Sequence, residues 1–222
     1  MKLMRRMKSD VPFITNDQLE MMAEALLARS ITKGISIQFP IPIEAIAERV
    51  LNLDMDWIDL NDSNAMAQLN YSEWKIQPNE SLRDFFDRIP GAYHYTLAHE
   101  IFHAIAHVEE IDPSQQSLEL PTETILSRHY VVPRAPTRDE ARREVQAQRF
   151  AAYLTMPKSL LLAKVDGLDL CNRAVLRQVA DEIGVSLQAL KIRLQSLGRL
   201  YETPDGWLYP SKEAAQGQLP LF

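Results

Sequence analysis

The run Tyr95-Thr96-Leu97-Ala98-His99-Glu100-Ile101-Phe102-His103 constrains this chain most. It holds H-E-x-x-H within an apolar stretch that has no Pro or Gly from Ala92 to Glu110. Such a stretch is predicted to be one helix from Tyr93 to Glu110. Residues four apart share a helix face, so His99 and His103 can aim two imidazoles at one metal ion. Glu100 sits beside the first histidine and can reach a water on that ion. Two neutral nitrogen donors, a cation that acidifies water and a carboxylate that takes the proton are the parts of a zinc hydrolase. The motif still requires a third protein ligand. His107, one turn beyond His103, would drift about 40° around the axis and ~6 Å further on. It is expected behind the ligands or in the core rather than on the ion.

Length 222 fits one or two domains, and 46% hydrophobic with 24% charged residues is a globular balance. A net charge of −6 argues against a surface coated for nonspecific nucleic-acid binding. The single cysteine, Cys171, excludes an internal disulfide framework and a cysteine zinc ribbon. That fits a reducing compartment, and a cytoplasmic location is expected. The basic start, Met1 to Lys8, runs into Ser9-Asp10 with no apolar region behind it, so it reads as a frayed terminus and not a secretory signal. No apolar stretch approaches the ~20 residues that span a bilayer.

In chain order, Asn16 is a candidate cap for a helix from Asp17 to Arg29, with Leu19, Met22, Ala23, Leu26 and Leu27 as its stripe. Ile43, Ile46, Ala47 and Val50 mark a second helix. Met55 to Leu60, Ala65 to Leu69 and Trp74 to Gln77 read as strands of a small antiparallel sheet. Ser81 is a candidate cap for a short helix around Phe85 and Phe86 that stops at Pro90-Gly91. The stretch Glu109 to Pro136 reads as irregular, a long functional loop or lid. Its Glu109, Glu110, His129 and Tyr130 are weak site candidates.

A long helix follows, with Thr137 as cap and Asp139-Glu140 in its first turn, where acids suit the dipole. Glu144, Ala147 and Ala151 share one face. Small side chains below a carboxylate allow another helix to approach, so Glu144 could close a His-His-Glu site. Glu140, one turn earlier, competes for that role.

Beyond Leu160, Val175 to Ile183 and Leu187 to Leu197 give two amphipathic helices about Gly184-Val185-Ser186, as in helix-turn-helix units. A hairpin about Pro204-Asp205-Gly206 would complete a winged-helix-like region. Lys191, Arg193 and Arg199 are its candidate exposed cations, too few for a firm DNA assignment.

Two spaced segments resemble the ImmA/IrrE family of zinc metallopeptidases, which are gluzincin-like. One is Tyr95 to His103. The other is Glu144, Ala147, Phe150, Ala151, Leu154, Met156 and Pro157, similar to the family's E-x-x-A-x-x-F-A-x-x-L-x-M-P. Ile43 to Ala47 and Val185 to Leu194 resemble its early and C-terminal helices. The resemblance implies His99, His103 and Glu144 as metal ligands, Glu100 as general base, and zinc, or else manganese, as the ion. It implies an endopeptidase that cleaves an Xre-type helix-turn-helix repressor. The chain departs from the family at Gln146-Ala147-Gln148, where Glu-Ala-Asn is common, at His94, where Arg is usual, and in the long loop. The tail residues Gln218, Leu219, Leu221 and Phe222 resemble the peptide that binds the bacterial β sliding clamp.

The resulting expectation is an α+β chain. A mainly helical, zincin-like metallopeptidase domain with a small antiparallel sheet covers 1–158, a winged-helix-like region 159–210 and a tail 211–222. The rival expectation is a non-catalytic, metal-stabilised module that binds a repressor, DNA or the clamp.

Overall fold

The computed structural model describes residues 4–111, 124–128 and 137–217. It divides into two compact units, Met1–Ile37 with Pro42–Thr155, and Gln38–Ile41 with Met156–Phe222. The expected His129, Tyr130 and clamp-like tail residues lie outside the described residues.

The first unit begins with β1 (Met4–Met7) and α1 (Asn16–Thr32). Thr15, one residue before the expected cap, starts α1. Its Oγ1 accepts from the Gln18 N–H at 3.2 Å, and the Gln18 side chain accepts from the Thr15 N–H at 2.9 Å. The reciprocal pair satisfies two amide groups that a single Asn16 cap would not. Next come α2 (Ile43–Leu51), β2 (Asp54–Met55), β3 (Ala65–Asn70) and β4 (Lys75–Pro78). Ala65, Ala67 and Leu69 are buried at every second position of β3, the period of a strand with one face on a core. Asn79, not Ser81, caps the 3-10 turn Glu80–Leu82, accepting from the Ser81 N–H at 3.2 Å. Then follow α3 (Arg83–Arg88) and α4 (Pro90–Phe102). Pro90 opens α4 as its first residue, where its missing N–H costs nothing.

The predicted helix to Glu110 ends earlier. His103–His107 is a π-helical turn, and β5 (Val108–Ile111) follows it. The basic start expected to fray is instead the antiparallel partner of β5, with Arg5 opposite Glu110 and Arg6 opposite Glu109. Their side chains pair at 3.4 and 2.8 Å. Opposite charges directly across a strand pair hold that register, so Glu109 and Glu110 are pairing residues and not site groups. The stretch expected to be irregular also contributes β6 (Thr124–Arg128). Among the described residues the larger sheet has the order β2-β4-β3-β6. Its β3 pairings are antiparallel, and the short edge strand β2 runs parallel to β4.

The helix α5 (Arg138–Thr155) packs on α4 and α1. Seven consecutive residues of α4, Thr96 to Phe102, are buried, so this helix is covered on every side. Phe102 meets Phe150 of α5 with ring centroids 4.8 Å apart.

The second unit contains α6 (Lys158–Val165), α7 (Arg173–Ile183), α8 (Leu187–Ser196), a short hairpin of β7 (Tyr201–Glu202) and β8 (Leu208–Tyr209), and α9 (Lys212–Ala215). Gly184 ends α7 in the left-handed conformation, and the Ser186 side chain caps α8. Two of the three cations expected to be exposed are interior. Lys191 is 8% exposed and bonds the Glu202 carboxylate at 2.7 Å, while Arg193 is 3% exposed and donates to the Met156 carbonyl at 3.1 Å. Their long aliphatic stems let charged heads reach partners from within a core. The exposed face of α8 carries Gln188, Ile192 and Gln195. No described helix is long and apolar enough to cross a membrane.

Candidate metal centre

His99 leaves α4 one turn before its end, and His103 begins the π-helical turn. Their Nε2 atoms lie 3.0 Å apart. Glu144, in the middle of α5, closes the triangle. Its Oε2 is 3.2 Å from His99 Nε2 and its Oε1 is 3.4 Å from His103 Nε2. Metal–nitrogen and metal–oxygen bonds near 2.0–2.1 Å at a tetrahedral angle set donor atoms about 3.3 Å apart. The three observed edges, 3.0, 3.2 and 3.4 Å, match that spacing without rearrangement. Among the described residues this is the group of histidine and carboxylate side chains whose donor atoms converge for an ion. Two imidazoles and one carboxylate suit zinc and leave a fourth position open.

The sheltering is uneven. His103 is fully buried and His99 nearly so, while the Glu144 side chain is 36% exposed. The open side of the triangle is therefore the α5 side. Glu100 is completely buried next to His99. Burial works against a proton on His99, but the hydrogen bond to Glu144 and the charges of Glu100 and Glu144 raise its pKa on balance. For His103 burial prevails and the pKa falls. Burial alone would raise the Glu144 pKa, yet the two imidazoles hold this carboxyl far below its usual range. An ionised carboxylate beside two imidazole nitrogens is a donor set suited to a cation.

The competition between Glu140 and Glu144 is resolved by capping. Thr137 Oγ1 accepts from the Glu140 N–H at 3.2 Å, and the Glu140 carboxylate accepts from the Thr137 N–H at 2.7 Å. Glu140 is committed to the start of α5, and Glu144 alone of the two meets the histidines.

His107 is behind the triangle, as expected. The i→i+5 turn is wider than an α turn, which swings the His107 ring back onto His103. Their Nδ1 atoms are 3.0 Å apart. His107 Nε2 faces Gln146 Oε1 at 3.2 Å. Burial, with the charges of His103 and Arg143, pushes the His107 pKa down to about 3. Tyr95 does not point a free hydroxyl into the site, because it donates to the Gln148 carbonyl at 3.0 Å and so ties α4 to α5. Gln146 was missed from the sequence as a site residue. The signal was present, since Gln146 stands where the chain departs from the family pattern.

Residues 90–195 match the family model Peptidase_M78, the IrrE N-terminal-like domain. This segment is similar to the IrrE N-terminal-like domain. It opens at the first residue of α4 and closes near the end of α8, so it contains His99, His103 and Glu144. The β1 strand, α1, α2 and the β2-β4-β3 part of the sheet lie outside the IrrE-like segment. A Mycobacterium tuberculosis transcriptional regulator shares the fold, with a TM-score of 0.51 and 15% identity over 87% of this chain. The chain spans 55% of that regulator's length. No curated protein matches the chain.

Proposed function

We propose that this chain is a metal-dependent endopeptidase that uses zinc and cuts a helix-turn-helix repressor of the Xre type. The observation that carries the reading is the convergence of His99, His103 and Glu144 with donor atoms 3.0 to 3.4 Å apart. It is supported by the IrrE-like match over the same residues and by a solved protein of this fold that is a transcriptional regulator. When bound, zinc supplies Lewis acidity, which polarises a carbonyl and lowers the pKa of water towards ~7. His99 and His103 would hold the ion through Nε2 and Glu144 through its carboxylate. Glu100, buried beside His99, takes the proton from the attacking water and returns it to the leaving amine. The α4–α5 contact excludes water from the histidine side of the triangle and leaves the Glu144 side for an extended peptide.

The test is direct. Metal content is measured, and the protein is incubated with an Xre-type repressor with and without chelator. Cleavage that needs one bound zinc and disappears in the Glu100→Gln variant is the expected result. Stoichiometric zinc with no cleavage across several repressors refutes the endopeptidase and favours a non-catalytic binding module. The tail Gln218 to Phe222 is proposed to bind the sliding clamp, and equal capture of the full chain and a chain lacking it refutes that assignment.

A further inference from the structure

We propose that Gln146 and His107 are positioning residues that set His103 in the tautomer with its proton on Nδ1, so that the Nε2 lone pair faces the metal position. The N-terminal segment, through the Pro12 carbonyl, aims this relay. The consequence for zinc rests on the metal-site reading above, whereas the tautomer is a property of the metal-free protein.

The assignment follows from what each group can donate. Gln146 Nε2 is 2.7 Å from the Pro12 carbonyl oxygen, which can only accept. The amide nitrogen therefore lies on that side, because the flipped amide would set two oxygens against each other. Gln146 Oε1 is then turned to His107 Nε2 at 3.2 Å. An amide oxygen also only accepts, so His107 Nε2 carries the hydrogen. One proton lies between His107 Nδ1 and His103 Nδ1 at 3.0 Å. Placed on His107, it would make a cation in a pocket where that residue is 2% exposed. The proton belongs to His103 Nδ1, and His103 Nε2 is left bare toward His99 and Glu144.

The outer end of the relay is well anchored. Lys8 N–H donates to the His107 carbonyl at 2.9 Å, and Lys8 Nζ to the Ala106 carbonyl at 2.7 Å. Arg143 donates to the Lys8 carbonyl at 2.6 Å, and Arg142 to the Val11 carbonyl at 2.7 Å. These bonds clamp residues 8–12 along α5 and the π-helical turn. The clamp comes from outside the IrrE-like segment at 90–195, so this chain supplies its own support for the site.

The experiment uses full-length, 15N-labelled, metal-free protein. Two-bond proton–nitrogen correlations report the tautomer of each of the five histidines. The expected wild-type result is a proton on Nδ1 of His103 and on Nε2 of His107. In Gln146→Leu, His103 is expected to populate both tautomers, and zinc affinity, read by competition with a chromophoric chelator, to fall about 10–100-fold. Gln146→Glu restores an acceptor for His107 Nε2 but offers no donor to the Pro12 carbonyl, so it is expected to recover the single His103 tautomer and the affinity only in part, which a merely structural role would not require. A wild-type His103 with its proton on Nε2 overturns the proposal, as does a Gln146→Leu variant with wild-type zinc affinity. If Gln146→Leu does not fold, the wild-type spectrum and Gln146→Glu decide the matter. Wild-type protein with the assigned tautomers that binds no zinc refutes the metal-site reading and leaves the relay standing.

Discussion

The geometry of the candidate metal centre depends on how closely α5 approaches α4, and Ala147→Leu tests that dependence. Ala147 is fully buried and follows Glu144 by one turn on the same face. Leucine adds three carbons at a position with no exposure to solvent, and overpacking of this kind costs about 1–3 kcal/mol. For a unit of this size each kcal/mol lowers Tm by about 2–4 °C. A melt of the metal-free protein should therefore fall by about 2–12 °C. If α5 relieves the strain by moving off α4, Glu144 moves with it. A shift of about 1 Å would stretch the 3.2 and 3.4 Å contacts to more than about 4 Å, well beyond the ~3.3 Å edge that zinc requires. A coupling of 1–3 kcal/mol corresponds to about a 5–150-fold loss of zinc affinity. Calorimetric or chelator-competition titration reads that loss. Gln148→Ala is the control, because its side chain is exposed and Tyr95 bonds only its backbone carbonyl. It should stay within about 0.5 kcal/mol of wild type. An Ala147→Leu protein with unchanged Tm and unchanged zinc affinity would refute the claim that close helix approach sets the ligand triangle.

Zinc at one hundred times its Kd should stabilise the folded chain by about 2.7 kcal/mol, and chelator or His103→Ala should remove the gain in a thermal melt. Gly184→Ala should destabilise the second unit by about 1–2 kcal/mol, since Gly184 has φ +74° and an added Cβ would lie 3.0 Å from Pro40 Cγ; denaturant unfolding would measure it. Alkaline pH should weaken the first unit. Burial raises the pKa of Tyr93, helped by its bond to Glu44, and pushes that of Tyr95 up to about 12. Both pKa values are above the unfolded value near 10, so their stabilisation is complete below about pH 10 and declines as pH rises through and beyond it. Unfolding followed by tyrosinate absorbance checks the sign, and stability that increases above that pH would contradict it.

Much of the fold is local and was legible for that reason. The stripe of α1, the alternation in β3, the Thr137 cap of α5 and the turn at Gly184 are each set within a few residues. What was misread depended on distant partners. Val108-Glu109-Glu110 carries no helix breaker, and it leaves the helix because Met4–Met7 pairs with it. Lys191 and Arg193 sit on a helix that reads as amphipathic, yet Glu202 and the Met156 carbonyl draw both heads inward. No periodicity in a sequence reports such pairings.

Local spacing already points to metal chemistry at the candidate site. The spacing of His99, Glu100 and His103 on a helix follows from backbone geometry and needs no tertiary contact. What completes that site depends on contacts between distant elements. Glu144 rather than Glu140 meets the histidines because Glu140 is spent on its own helix cap. His107 turns back onto His103 because the helix widens before β5. Gln146 is aimed by a carbonyl more than a hundred residues away in the chain, since only packing can bring Pro12 beside α5.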